Sequence, residues 1–182
     1  SGIRLFNSDD NVINGNLIGL APTGTSDRGN AGYGIEAHGN NNQVGDSILN
    51  LLAGNFLLAN DSGGMLIDGN NNRVFSNQLG LGETGSFIES EGDGIRVLGN
   101  ANFIGTNDIF SGNNIYEHNG AGVFLAGADN NFIYFNKIGA SHIQVALRSS
   151  NGDGIRGENA NLNTFINNKI VNSSETGASP GY

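Results

Sequence analysis

Six segments of this chain repeat one pattern: Gly, an aliphatic residue or Met, a variable residue, an aliphatic or small residue, a Gly/Asn turn, then Asn before a second apolar pair. They open at Gly2-Ile3, Gly34-Ile35, Gly64-Met65, Gly94-Ile95, Gly122-Val123 and Gly154-Ile155, so the second residues lie 32, 30, 30, 28 and 32 positions apart. A period of this length marks a solenoid, because one repeat cannot bury its own apolar face and successive turns must share a core. Within a repeat the apolar residues fall in short alternating runs: Ile35/Ala37, Val44, Ile48, and again Ile95/Val97, Ile104, Ile109. Such spacing predicts strands, not helices. The expected fold is all-β: a right-handed parallel β-helix of about six coils, with three short strands per coil and neighbouring coils about 4.8 Å apart.

The asparagines suit the same geometry. Asn11, Asn42, Asn72, Asn102, Asn131 and Asn163 each precede the second strand. Asn16, Asn77, Asn107, Asn136 and Asn168 recur five residues later, with Ser47 breaking that second series. Stacked at a corner, amides can bond one another and the turn backbone, and Asn tolerates the left-handed backbone that tight corners need. Inward Asn ladders are therefore expected at the corners, in preference to a sugar-binding role for these side chains. Thirty glycines, two prolines and no Trp agree with a helix-poor chain. The 182 residues read as a single β-helix domain, 1–182, with a short polar tail from about 172.

The runs Asn16-Leu17-Ile18-Gly19, Gly24-Thr25, Gly29-Asn30 and Gly34-Ile35 resemble the parallel β-helix repeats of the pectin-lyase-like superfamily. More closely, they are similar to repeats of large secreted bacterial surface proteins. The resemblance spans nearly the whole chain and implies an extracellular or cell-surface location. It is specific for fold but weak for function, since that superfamily includes lyases, polygalacturonases, epimerases, tailspikes and surface proteins of unknown role.

A polygalacturonase would need paired acids, a Gly-His-Gly and an Arg-x-Lys on neighbouring coils. Asp9-Asp10 occupies the corner filled by Asn40-Asn41 and Asn70-Asn71 in later coils, and His38-Gly39 lacks the preceding Gly. A lyase or epimerase needs a base and a cation that neutralises the substrate carboxylate. Strand alternation places Arg4, Glu36, Leu66, Arg96, Phe124 and Arg156 on one outward column of the first strand, with Phe6, His38, Asp68, Leu98, Ala126 and Glu158 on the next. Asp93-Gly-Ile-Arg96 returns as Asp153-Gly-Ile-Arg156, so one Asp and Arg pair is expected twice. Arg4, Glu36, His38, Asp68, Asp93, Arg96, Phe124, Asp153 and Arg156 form the candidate glycan-contact face, although no catalytic set can be named among them. Turn-capping aspartates and solvated arginines are the plainer reading of the same residues. Insertions at Leu20–Tyr33, Leu81–Asp93, Phe110–Ala121 and Ala140–Asp153 are expected to wall that face.

Phe103, Phe132 and Phe165 read as core stacking and His118 and His142 as lone exposed residues, so no metal site or cofactor is expected. Ca²⁺ at Asp27, Asp61, Glu83, Glu89 or Glu91 is a weaker reading than solvated acids. The absence of Cys leaves the redox compartment open. A net charge of -9, with no cluster among the eight Lys and Arg residues, argues against nucleic acid and anionic membranes. No apolar run approaches the ~20 residues of a spanning helix, so membrane insertion is not expected. Bare solenoid ends expose strand edges, which implies stacking on copies of the chain or on further coils of a longer parent. The leading expectation is an extracellular or surface scaffold of stacked coils, able to assemble end to end and to bind glycan. The alternatives are a lyase or epimerase, or a non-catalytic carbohydrate-binding module, acting on acidic polysaccharide.

Overall fold

The computed structural model describes residues 1–21, 27–46, 54–81, 88–107, 111–139 and 152–171. Its strands form three parallel six-stranded sheets, each taking one strand from every successive coil. The first sheet contains β1 (Ile3–Phe6), β4 (Tyr33–His38), β7 (Gly63–Ile67), β10 (Asp93–Val97), β13 (Val123–Ala126) and β16 (Ile155–Glu158). The second contains β2 (Val12–Ile13), β5 (Gln43–Val44), β8 (Arg73–Val74), β11 (Phe103–Ile104), β14 (Phe132–Tyr134) and β17 (Thr164–Ile166). The third contains β3 (Leu17–Ile18), β6 (Phe56–Leu57), β9 (Gln78–Leu79), β12 (Asn114–Ile115), β15 (Lys137–Ile138) and β18 (Lys169–Ile170).

Register follows the repeat. Ile3, Ile35, Met65, Ile95, Val123 and Ile155 align across the first sheet, and Ile13, Val44, Val74, Ile104, Ile133 and Phe165 across the second. These columns point inward and join Leu57, Leu79, Ile115 and Ile138 of the third sheet in one core. A strand of two residues contributes little alone. Each fully buried aliphatic side chain contributes about 1.5–3 kcal/mol, so the stack is held by its shared interior.

Two inward Asn ladders run the length of the solenoid. At the first corner the backbone N–H of each Asn donates to Oδ1 of the Asn one coil on: Asn42 to Asn72, Asn72 to Asn102 and Asn102 to Asn131, each at 2.8 Å. The Nδ2 groups of Asn42 and Asn72 return to the carbonyls of Ser8 and Gly39 in the coil before. The residue preceding each rung (Asp10, Asn41, Asn71, Ala101, Asn130, Leu162) has φ between 55° and 58°. This is the left-handed corner for which Asn was expected. Asp9 is one more corner residue, its Oδ1 accepting the Asn40 N–H at 2.7 Å.

The second ladder departs from the sequence reading. Its rungs are Asn16, Asn55, Asn77, Asn113, Asn136 and Asn168, so Asn55 and Asn113 stand where Ser47 and Asn107 were expected. Connections 45–55 and 105–113 are long, and they displace the third strands of coils 2 and 4 to β6 and β12. Ser47, Ile48 and Ile109 fall outside the described residues. Phe110–Ala121 is accordingly no wall insertion, because it contains β12. Long connections alternate: 19–32, 80–92 and 139–154 follow the third strands of coils 1, 3 and 5, whereas coils 2 and 4 carry theirs at the second corner. Gly45 opens one of these with φ of 99°, where a Cβ would overlap the Phe75 carbonyl oxygen.

The third corner adds a mixed ladder. Nδ2 of Asn30 donates to Oδ1 of Asn60 at 2.8 Å, the Asn60 N–H donates to Oγ of Ser90 at 3.2 Å, and Ser90 bridges in parallel to His118. His118 is fully buried, contrary to the expectation of an exposed side chain. Neither ring nitrogen has a hydrogen-bond partner among the described residues, and burial pushes its pKa down to about 3. His142, Glu83 and the tail from 172 lie outside the described residues.

Candidate functional site

The outward columns of the first sheet are in the expected register. Arg4, Glu36, Leu66, Arg96, Phe124 and Arg156 align, with Phe6 beside His38 and Ala126 beside Glu158. Their charges compensate one another. Arg4 Nε lies 3.1 Å from Glu36 Oε2; His38 Nε2 is 3.2 Å from that same oxygen and His38 Nδ1 is 3.0 Å from Asp68 Oδ2. Burial pushes the Glu36 carboxyl up, but hydrogen bonds from Ser1 and His38 and the charges of Arg4 and His38 outweigh it, leaving its pKa below the usual value.

Further along, Arg96 Nη1 approaches Asp93 Oδ2 at 3.5 Å, and its guanidinium lies 4.7 Å from the centroid of the Phe124 ring. Arg156 covers the same ring at 5.0 Å and pairs with Glu158. Phe124 is thus sandwiched and only 7% exposed, a cation–π arrangement with no open ring face for a sugar. The repeated Asp and Arg motif diverges: Asp93 Oδ1 accepts the Ala121 N–H at 2.9 Å, while Asp153 is exposed and its would-be partner Arg156 turns to Glu158. Tyr33 was not singled out in the sequence, yet its ring reaches across Gly63 toward this cluster. Burial and the charges of Asp93 and Glu36 raise its phenol against the opposing pull of Arg96, and burial likewise raises the Asp93 carboxyl. All three arginines of this face are paired with carboxylates, so a substrate carboxylate would have to displace an internal partner.

The outer face of the second sheet was not foreseen. Ile104 and Ile133 point inward, so Phe103 and Phe132 point out, overturning their assignment to the core. Their rings stack at 4.8 Å and 12°, with Tyr134 tilted beside Phe132 at 5.7 Å. Phe165 belongs to the inward column but is half exposed, in contrast to Ile133 one coil before it. Arg73 precedes Phe103 in the outward column. Two adjoining hollows of about 400 and 360 Å³ share Gln43, Arg73 and Phe103. Alternation would have revealed the outward rings, because each directly precedes an inward Ile.

Among the described residues no helix is long and apolar enough to cross a membrane, and no group of three or more His, Cys, Asp or Glu is placed to hold a metal ion. These features define a parallel β-solenoid with Asn-laddered corners, a self-neutralised first face and an aromatic second face. No protein-family model, curated protein or solved structure matches the chain.

Proposed function

We propose that this chain is an extracellular or surface scaffold, related in coil pattern to the pectin-lyase-like superfamily, that extends by seating coil 6 of one copy on coil 1 of the next. The supporting observation is the opposite polarity of its corner ladders. In both inward ladders each N–H donates to the following coil, so at coil 6 the N–H groups of Asn163 and Asn168 have no acceptor among the described residues. At coil 1 the Oδ1 atoms of Asn11 and Asn16 accept from no described donor. The outer ladder, Asp9, Asn40, Asn70, Asn100, Asp129, Asn161, runs the other way, each N–H donating to the preceding coil. It leaves the Asn161 acceptor at one end and the Asp9 N–H at the other. A second copy in register supplies every missing partner and covers Phe165 and Ile170, now 50% and 45% exposed. Such head-to-tail contact does not close on itself and grows a filament.

Two terms oppose it. Arg156 would meet Arg4 of the next copy, a destabilising like-charge pair moderated by Glu158 and Glu36 on either side. Each copy also carries a charge of -9, so assembly strengthens with ionic strength.

The test uses Phe6→Cys and Glu158→Cys, exposed positions that face each other only across a head-to-tail joint; the chain otherwise has no Cys. Expected are disulfide-linked dimers from a mixture of the two single variants, none from either alone, and mass by light scattering that grows with concentration and salt. Phe165→Asp with Ile170→Asp should abolish that growth. A monomer at every concentration, with no cross-link in the mixture, would overturn the proposal.

A further inference from the structure

We infer that the notch across the outer face of the second sheet, between Arg73 and Phe103, binds an acidic saccharide, with a carboxylate on the guanidinium and the apolar face of a sugar ring on the phenyl group. Coil 3 crosses its second corner in three residues, Phe75, Ser76 and Asn77, whereas coils 2 and 4 on either side carry the long connections 45–55 and 105–113. Arg73 and buried Phe75 floor a recess in this coil, flanked by Gln43 on one side and by Phe103, Gly105, Thr106 and Asn107 on the other. Its hollows are of the size usual for ligand sites, roughly 300–1,000 Å³.

The walls supply two kinds of contact. Phe132 covers one face of the Phe103 ring; the other looks toward Arg73, and Phe103 remains 37% exposed. A pyranose presents axial C–H groups on one face, which suit an exposed ring flanked by polar side chains. Arg73 is exposed and, unlike the arginines of the first face, has no carboxylate partner among the described residues. Among the described residues no carboxylate lines either hollow. In a chain of charge -9 this recess is therefore suited to an anion, and a guanidinium can bind a carboxylate through two parallel N–H donors. Gln43, whose Nε2 is held on the Gly45 carbonyl at 3.1 Å, and Asn107 provide amide groups at the rim for sugar hydroxyls.

The inference is independent of end-to-end assembly. Its test is titration of the full chain, observed by ¹H–¹⁵N NMR, with glucuronic-acid oligosaccharides and with the same oligosaccharides after carboxyl reduction. Expected are saturable shifts at Arg73, Phe103 and Asn107 with the acidic series and at least tenfold weaker binding of the reduced series. Arg73→Gln and Phe103→Ala should each weaken binding by about tenfold, while Arg28→Gln, exposed and outside both hollows, leaves it unchanged. Equal binding of reduced and acidic sugars, shifts centred on Arg96 and Arg156, or no saturation at millimolar ligand would each overturn the assignment. The wild-type shift map decides the location even if a variant fails to fold.

Discussion

Acid should destabilise this solenoid through His118 in a way that one substitution removes. The imidazole is fully buried under Ser90, without a described partner for either nitrogen, and burial alone pushes its pKa to about 3. In the unfolded chain it titrates near 6.5. Because the folded value is the lower one, the unfolded state binds the extra proton first. Stability is therefore unaffected well above pH 6.5 and declines as pH falls toward 3. Each unit in that window costs about 1.4 kcal/mol, or about 2.7 kcal/mol between pH 7.5 and 4.5. Replacing His118 by Asn, the residue at the equivalent rung Asn60, keeps a polar side chain but removes the titration. Urea unfolding of the two proteins in parallel isolates the effect, since the carboxylates titrate in both and cancel in the difference. The wild-type deficit should grow by about 2.7 kcal/mol over that range, and the His118 ring resonances of the folded protein should not shift. Parallel pH profiles, or a His118 resonance titrating near pH 6.5, would refute the reasoning.

Other substitutions test the ladders and corners. Asn77 accepts from the N–H and Nδ2 of Asn55 and donates to Val44, Phe75 and Asn113, so Asn77→Ala should cost about 3 kcal/mol or more in urea unfolding. Asn16→Ala at the end rung should cost less than half as much; equal losses would mean that burial does not govern the ladder. Leu162 is 80% exposed with φ of 55°, so Leu162→Asn should stabilise by about 1 kcal/mol and raise Tm by about 2–4 °C, and an unchanged Tm would count against corner strain. Asp93 has a raised folded pKa, so its ionisation opposes folding at neutral pH. Asp93→Asn should be the more stable protein at pH 7, with the advantage fading as pH falls through the carboxylate range, and chemical unfolding at pH 7 and pH 3 checks both signs.

The parts legible in the sequence are those where coil length hardly varies. The first corner has nearly constant length in all six coils, so counting from Gly34-Ile35 or Gly94-Ile95 lands on Asn42 or Asn102, and the first-sheet register follows. Counting fails where length does vary: a rung sought five residues after Asn42 falls on Ser47, although Asn55-Phe56-Leu57 and Asn113-Asn114-Ile115 carry the same Asn-x-aliphatic signature as Asn77-Gln78-Leu79. Two-residue strands have no periodicity to correct such a slip. His118 was misread for a related reason, since a lone His in a variable connection gives no sign that Asn60 and Ser90 stack above it.

The placement of long connections bears on where a ligand can reach the molecule. Had all of them fallen at the third corner, they would have walled only the first face, where Arg4, Arg96 and Arg156 already have acidic partners. Alternation gives coils 2 and 4 their long connections at the second corner, and Gly105, Thr106 and Asn107 at the start of the coil 4 connection flank the recess over Arg73 and Phe75 of coil 3. Arg73 lies in that recess beside a ring whose inward neighbour, Ile104, anchors it to the core. A change of connection length in alternate coils can thus build a lateral site without disturbing the ladders that align the coils. If the ends also join copies in register, the recess recurs once per chain along the filament, at about six coil spacings of ~4.8 Å, or roughly 29 Å. A polymeric ligand spanning two such recesses would bind the assembly more tightly than the isolated chain by raising the effective concentration of its second segment. Comparing short and long acidic oligosaccharides on dilute wild-type chain and on the disulfide-linked dimer separates the two effects: length dependence only in the dimer would join the lateral site to the axial repeat, and identical length dependence in both would dissociate them.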